Sequence, residues 1–118
     1  EICACLVGSE MCIRDRCVRN SLENIELNGV DNIAVSQGDA SSLESKGPFD
    51  MVIANINRNI LLADMKHYIA RMNPGAELLM SGFYIDDIPV IREEAERNGL
   101  HFVHHREKNR WAAVKFQK

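Results

Sequence analysis

The chain has 118 residues, 46% of them hydrophobic and 26% charged, with a formal net charge of -3. That length suits one domain. The composition is that of an ordinary globular protein, and the mild acidity gives no nucleic-acid signature. No apolar run approaches the roughly 20 residues a membrane helix needs. Glu1 and Glu10 flank a short apolar stretch without the basic region of a secretory signal, so cytoplasm is the expected location and no membrane partner is expected.

All four cysteines, Cys3, Cys5, Cys12 and Cys17, fall near the start. They lack the paired spacing of a zinc site, and no metal is expected. The stretch from Cys5 to Arg16 resembles the peptide produced when a sequencing-adapter read is translated. Residues 1–16 are therefore read as non-native and set aside, as a fusion scar would be. The competing reading is a genuine short strand, Ile2 to Val7, running into a helix.

From Cys17 the pattern becomes regular. Val18, Leu22 and Ile25 recur at steps of four and three, one face of a helix that Asn28-Gly29 ends. Ile33 to Val35 is a predicted strand, and Gly38-Asp39-Ala40-Ser41-Ser42 a polar loop. Gly47-Pro48 turns the chain into the stretch Phe49 to Asn57. Its apolar run, Met51 to Ala54, suits a strand buried on both faces, as in a parallel sheet under helices.

A helix is predicted over about 58–72, with Leu61, Met65, Tyr68 and Met72 as its apolar stripe. Asn73-Pro74-Gly75 stops it. Ala76 to Met80 is a strand, closed by Ser81-Gly82-Phe83. The next helix starts near Asp86 or Asp87, with Pro89 in its first turn and Ile88, Ile91 and Ala95 facing inward; Asn98-Gly99 ends it. Leu100 to Arg106 and Trp111 to Phe116 form a hairpin around Glu107-Lys108-Asn109-Arg110. The alternation of elements argues for an α/β fold, a mostly parallel sheet with an antiparallel hairpin at its carboxyl-terminal edge.

Some constellations are missing. There is no Gly-x-Gly-x-x-Gly, and Ser81-Gly82 lacks the flanks of a nucleophile elbow. His101, His104 and His105 cluster on the hairpin, where His101 and His105 should share a face. A solvated edge strand accounts for them better than a metal. The cationic tail, with Arg106, Lys108, Arg110, Lys115 and Lys118, reads as a charged solvent face, and Trp111 as an anchor packing the hairpin to the body.

Two places carry candidate chemistry. Asp39-Ala40 follows a strand, where a carboxylate can accept from an exocyclic amine and a backbone N–H can donate to a ring nitrogen; an ordinary Asx turn explains it equally well. Asn55 ends the Phe49 strand, at the edge where open α/β sheets bind ligands. An amide oxygen there can accept an amine N–H and aim the nitrogen lone pair at an electrophilic carbon, a positioning role that needs no strong base.

The helix Cys17–Gly29, the loop Gly38-Asp39-Ala40, the strand ending Ala54-Asn55-Ile56, the Asn73-Pro74-Gly75 turn, Ser81-Gly82-Phe83 and the Trp111 hairpin together resemble a known family. It is the PrmA-type ribosomal protein methyltransferases of the class I S-adenosylmethionine-dependent superfamily. The resemblance covers residues 17–118 and implies the carboxyl-terminal part of a catalytic domain with an incomplete Rossmann-like sheet. It implies S-adenosylmethionine as cofactor, with Asn55 at the junction of cofactor and target amine and Asp39 and Ala40 near the adenine. It implies methylation of lysine and amino-terminal amines of a large-subunit ribosomal protein.

The family's glycine-rich first loop and the acidic residue that binds the ribose are not found. The central strand is therefore expected to have an unpaired edge and an exposed apolar face, and the chain alone to be inactive and to bind the cofactor weakly or not at all. Alternatives are a class I enzyme acting on a nucleic-acid or small-molecule amine, or a degenerate non-enzymatic domain. Adenine-methylating members usually carry Asn-Pro-Pro-aromatic where this chain has Asn55-Ile56-Asn57-Arg58, which counts against the first.

Overall fold

A computed structural model describes residues 2–5, 19, 23, 24, 26–29 and 47–118. Residues 19, 23, 24, 26 and 27 are helical, inside the predicted first helix, and the Asn28 N–H donates to the Asn24 carbonyl as the chain turns. The Ile33–Val35 strand and the loop holding Asp39 and Ala40 lie outside the described residues.

The described elements run β1 (Ile2–Cys5), β2 (Phe49–Asn55), α1 (Arg58–Ala70), β3 (Met72–Tyr84), a 3-10 turn (Ile85–Asp87), α2 (Ile88–Arg97), β4 (His101–Lys108) and β5 (Trp111–Gln117). Their sheet has the order β1-β2-β3-β5-β4. β1, β2 and β3 pair in parallel, while β5 runs antiparallel to both β3 and β4. The architecture is the α/β sheet with a closing hairpin that the element order implied.

β1 changes one expectation. Ile2–Cys5 belong to the segment set aside as non-native, yet they pair in register with Met51 to Ala54. The edge of β2 facing away from β3 is therefore occupied along that stretch.

Each helix forms where its sequence says it should. Asn57 caps α1, its side-chain oxygen accepting from the Ile60 N–H at 3.1 Å. α1 buries Leu61, Met65, Tyr68 and Ile69. At its carboxyl end the Lys118 ammonium donates to the Ile69 and Met72 carbonyls at 2.7 and 2.8 Å, a cation where the helix dipole favours one. α2 has Asp87 at its N-cap position and Pro89 in the first turn. The Asp87 carboxylate makes no capping bond and instead accepts from Arg58 at 2.9 Å, tying the starts of both helices together. Ile91 and Ala95 are fully buried and Ile88 packs against the core. The end of α2 closes with Gly99 N–H to Glu96 and Leu100 N–H to Ala95, a Schellman pattern with Leu100 buried.

α1 and α2 share one face of the sheet. Beneath them lie Val52 and Ala54 of β2, Leu78 and Met80 of β3, and Ala112, Val114 and Phe116 of β5. Each fully buried Val, Leu, Met or Phe side chain in this layer contributes about 1.5–3 kcal/mol relative to exposure. β2 is thus buried on one face rather than both: Phe49, Val52 and Ala54 are buried, while Ile53 on the other side remains 39% exposed. α1 and α2 both cover the face that carries Val52 and Ala54.

Three local expectations are corrected. Asn73-Pro74-Gly75 does not separate α1 from the next strand. α1 ends at Ala70, β3 begins at Met72, and the tripeptide is accommodated by a shift of register between Phe49 and Met51. The hairpin turn is Asn109-Arg110 alone, with φ of 52° and 71°, the two-residue geometry that matches strand twist. The Arg110 carbonyl accepts from the Ile85 N–H and its guanidinium pairs with Asp86, anchoring the turn. Finally, the register shifts between Phe102 and His104, so that His101 pairs with Gln117 and His104 with Lys115, whereas His105 pairs with Val114. The bulge puts His101 and His104 on one face and His105 on the other, the reverse of the simple alternation.

Candidate functional site

The sheet face away from α1 and α2 carries Asn55, Ser81, Ala113 and Trp111. Asn55 pairs with Ser81, Ser81 with Ala113, and Tyr84 with Trp111. A cavity of about 740 Å³ opens there, lined by Asn55, Ile56, Asn57, Ser81 and Gly82 on one side and by Arg106–Lys108 and Trp111–Ala113 of the hairpin on the other. It sits at the carboxyl ends of parallel strands β2 and β3, the place where open α/β sheets bind ligands.

Asn55 is the last residue of β2. Its Oδ1 accepts from the Ser81 hydroxyl at 3.1 Å. The next residue, Ile56, donates its N–H to the Ser81 carbonyl at 3.1 Å, extending the ladder past the formal strand end and fixing the backbone from which the amide projects.

Gly82 makes this closeness workable. Its φ is +96°, and a Cβ there would lie 2.7 Å from the Ile56 carbonyl oxygen, 2.9 Å from the Ile56 nitrogen and 2.9 Å from Asn55 Oδ1. The register shift between Ser81 and Phe83 marks a bulge at Gly82. It leaves Ser81 on the open face and returns Phe83 to the core, where it is buried.

The far wall is aromatic and charged. Trp111 and Tyr84 stack with ring centroids 4.3 Å apart, and they remain 51% and 47% exposed. Trp111 is therefore a pocket-lining residue at the sheet surface, not the buried anchor its position in the hairpin suggested. Arg106 and Lys108, read from sequence as a solvent face, also line the cavity.

Of the residues singled out in the sequence, Asn55 lies in this pocket, while Asp39 and Ala40 lie outside the described residues. Ser81 and Gly82 also line it; in the sequence their Ser-Gly pair was rejected as a nucleophile motif and counted toward the family resemblance, with no role assigned to the serine. Among the described residues no group of three or more His, Cys, Asp or Glu could hold a metal, and no helix is long and apolar enough to cross a membrane.

A family model described as ribosomal protein L11 methyltransferase (PrmA) matches residues 9–118. The ribosomal protein L11 methyltransferase of Bacteroides fragilis is 71% identical over 119 residues, covering 98% of this chain and 42% of that protein. The enzyme of the same name from Phocaeicola vulgatus is 64% identical over 104 residues, or 88% of this chain and 37% of the relative. A solved structure of ribosomal protein L11 methylase from Lactobacillus delbrueckii subsp. bulgaricus matches with a TM-score of 0.81 at 22% identity, over 98% of this chain and 55% of that one, a likeness of fold. The chain thus spans about two fifths of the length of these curated relatives.

Proposed function

The chain belongs to the ribosomal protein L11 methyltransferase (PrmA) family, and on that premise we propose that the intact protein methylates lysine and amino-terminal amines of a large-subunit ribosomal protein. Residues 17–118 are, in this reading, the carboxyl-terminal part of its catalytic domain, and the reaction takes place in the cytoplasm. The observation that carries the proposal is the Asn55 amide, set at the open end of β2 and facing the cavity.

The described residues fit the reacting end of an S-adenosylmethionine site. Asn55 offers a neutral oxygen acceptor, and the missing Cβ of Gly82 leaves the space in which the strand ends approach each other. When bound, S-adenosylmethionine supplies an electrophilic methyl group. Asn55 would meet it at the transfer point, with Asp39 and Ala40 toward the adenine.

Asn55 acts by orientation. Its amide oxygen accepts an N–H of the neutral acceptor amine and so directs the nitrogen lone pair. The amine, charged in water at neutral pH, gives up its proton to solvent water before the lone pair is available. The half-exposed Trp111 and Tyr84 offer apolar surface for the stem of a lysine side chain.

The test uses the intact protein with a radiolabelled methyl donor and three acceptors: the ribosomal protein, DNA and RNA. Label is expected on the ribosomal protein alone, at lysine and amino-terminal nitrogens. Asn55→Ala should lower kcat by about 10²-fold, the scale of a lost positioning contact. Label on nucleic acid only overturns the substrate assignment, and an unchanged rate in Asn55→Ala overturns the role given to Asn55.

A further inference from the structure

We propose that Ser81 is a positioning residue for the transfer, acting through Asn55; this rests on Asn55 meeting the acceptor amine. An asparagine amide has two ends of nearly the same shape and opposite hydrogen-bonding character. Only the oxygen end can accept from an amine. Rotation about the last side-chain bond is soft, so something must fix which way the amide lies.

The Ser81 hydroxyl does so. It donates to Asn55 Oδ1 at 3.1 Å from the neighbouring strand. The two residues are register partners in the parallel β2–β3 ladder, and the Ser81 carbonyl holds the Ile56 N–H just beyond. Serine side chain and backbone thus clamp one amide and the peptide that follows it. Gly82 lets the oxygen lie close against β3. One lone pair of Oδ1 is taken by Ser81, and the second remains for the substrate. The hydroxyl itself touches no reacting atom.

The experiment is a double-mutant cycle in the intact protein, with steady-state methylation of the ribosomal protein as readout. Ser81→Ala should lower kcat by up to about 10-fold, the loss of one neutral hydrogen bond, with KM unchanged. Ser81→Thr, which keeps the hydroxyl, should recover most of that loss. In an Asn55→Ala background, Ser81→Ala should have no further effect, because the group it orients is gone. An equal loss in both backgrounds, a change in KM alone, or a threonine variant as slow as alanine overturns the proposal. If Ser81→Ala does not fold, Ser81→Cys is read in its place, with a loss expected because the thiol is a poor donor; full activity there overturns the proposal. Should Asn55→Ala itself retain full activity, the role of Asn55 fails and the Ser81 proposal falls with it, whereas an active wild type with a slow Asn55→Ala and a fully active Ser81→Ala overturns the Ser81 proposal alone.

Discussion

Replacing Gly82 by alanine tests whether the site depends on close approach of two strand ends. The cost has two parts. At φ +96° a side chain is strained by about 1–3 kcal/mol. The new Cβ would also lie 2.7 Å from the Ile56 carbonyl oxygen and 2.9 Å from its nitrogen. These are backbone atoms that cannot rotate aside, so relieving the overlap means separating β3 from the end of β2, at about 1–3 kcal/mol more.

Gly75 supplies the control. Its φ is +85° and nothing lies within 4 Å of an added Cβ, so Gly75→Ala carries the backbone strain without the overlap. The difference between the two variants, about 2 kcal/mol, isolates the contact. In urea unfolding of the intact protein it should separate the midpoints by about 1 M, for a slope near 2 kcal/mol/M. Methylation should fall in Gly82→Ala and hold in Gly75→Ala, since only the first displaces Asn55 and Ser81. Midpoints that coincide, with activity retained in both, would refute the close-approach reasoning.

Three further outcomes are expected. Asn57→Ala removes the cap on the Ile60 N–H and should cost about 1 kcal/mol, visible as a lower Tm. Lys118→Met keeps the stem but removes the donor to the Ile69 and Met72 carbonyls; a loss of about 1–2 kcal/mol is expected in urea unfolding, and an unchanged midpoint would mean that the carbonyls are satisfied otherwise. The Asn73 amide, donating at 2.8 Å, holds the Asp50 carboxyl below its ordinary value. A depressed folded pKa means that this contribution is present above the unfolded value and fades as pH falls through the folded one, below about pH 4. Asn73→Ala should raise the Asp50 pKa, followed by carboxyl NMR titration.

The elements with a single strong signal were legible. α2 announced itself by Pro89 near the start and Asn98-Gly99 at the end, and the structure puts its bounds at Ile88–Arg97. β2 was legible as a strand and Asn55 as its polar terminus. Met72 was assigned to the apolar stripe of α1 but begins β3, because a buried residue just past a helix end satisfies the helical period and the strand period alike. The histidine faces were misjudged for a related reason. Alternation predicts faces only while the register is unbroken, and the shift after Phe102 leaves no mark in composition. Trp111 was misplaced because hydrophobicity predicts burial, whereas its partner is the equally exposed Tyr84.

The site was less legible than the fold because its parts are assembled by pairing rather than by sequence spacing. Asn55 and Ser81 stand 26 positions apart, and the hairpin wall comes from further along still. A serine before a glycine has no evident role until β3 is laid beside β2 and the hydroxyl falls opposite the amide. Asn55 could be found alone because its location follows from one rule, a polar side chain at the carboxyl end of a buried parallel strand. What holds that side chain depends on a register match between β2 and β3 and on the glycine that lets the two strand ends lie close. A strand end is therefore a sound place to seek the reacting group in such a chain. The group that orients it should be sought at the same level on the neighbouring strand, where a hydroxyl followed by glycine is the signature to look for.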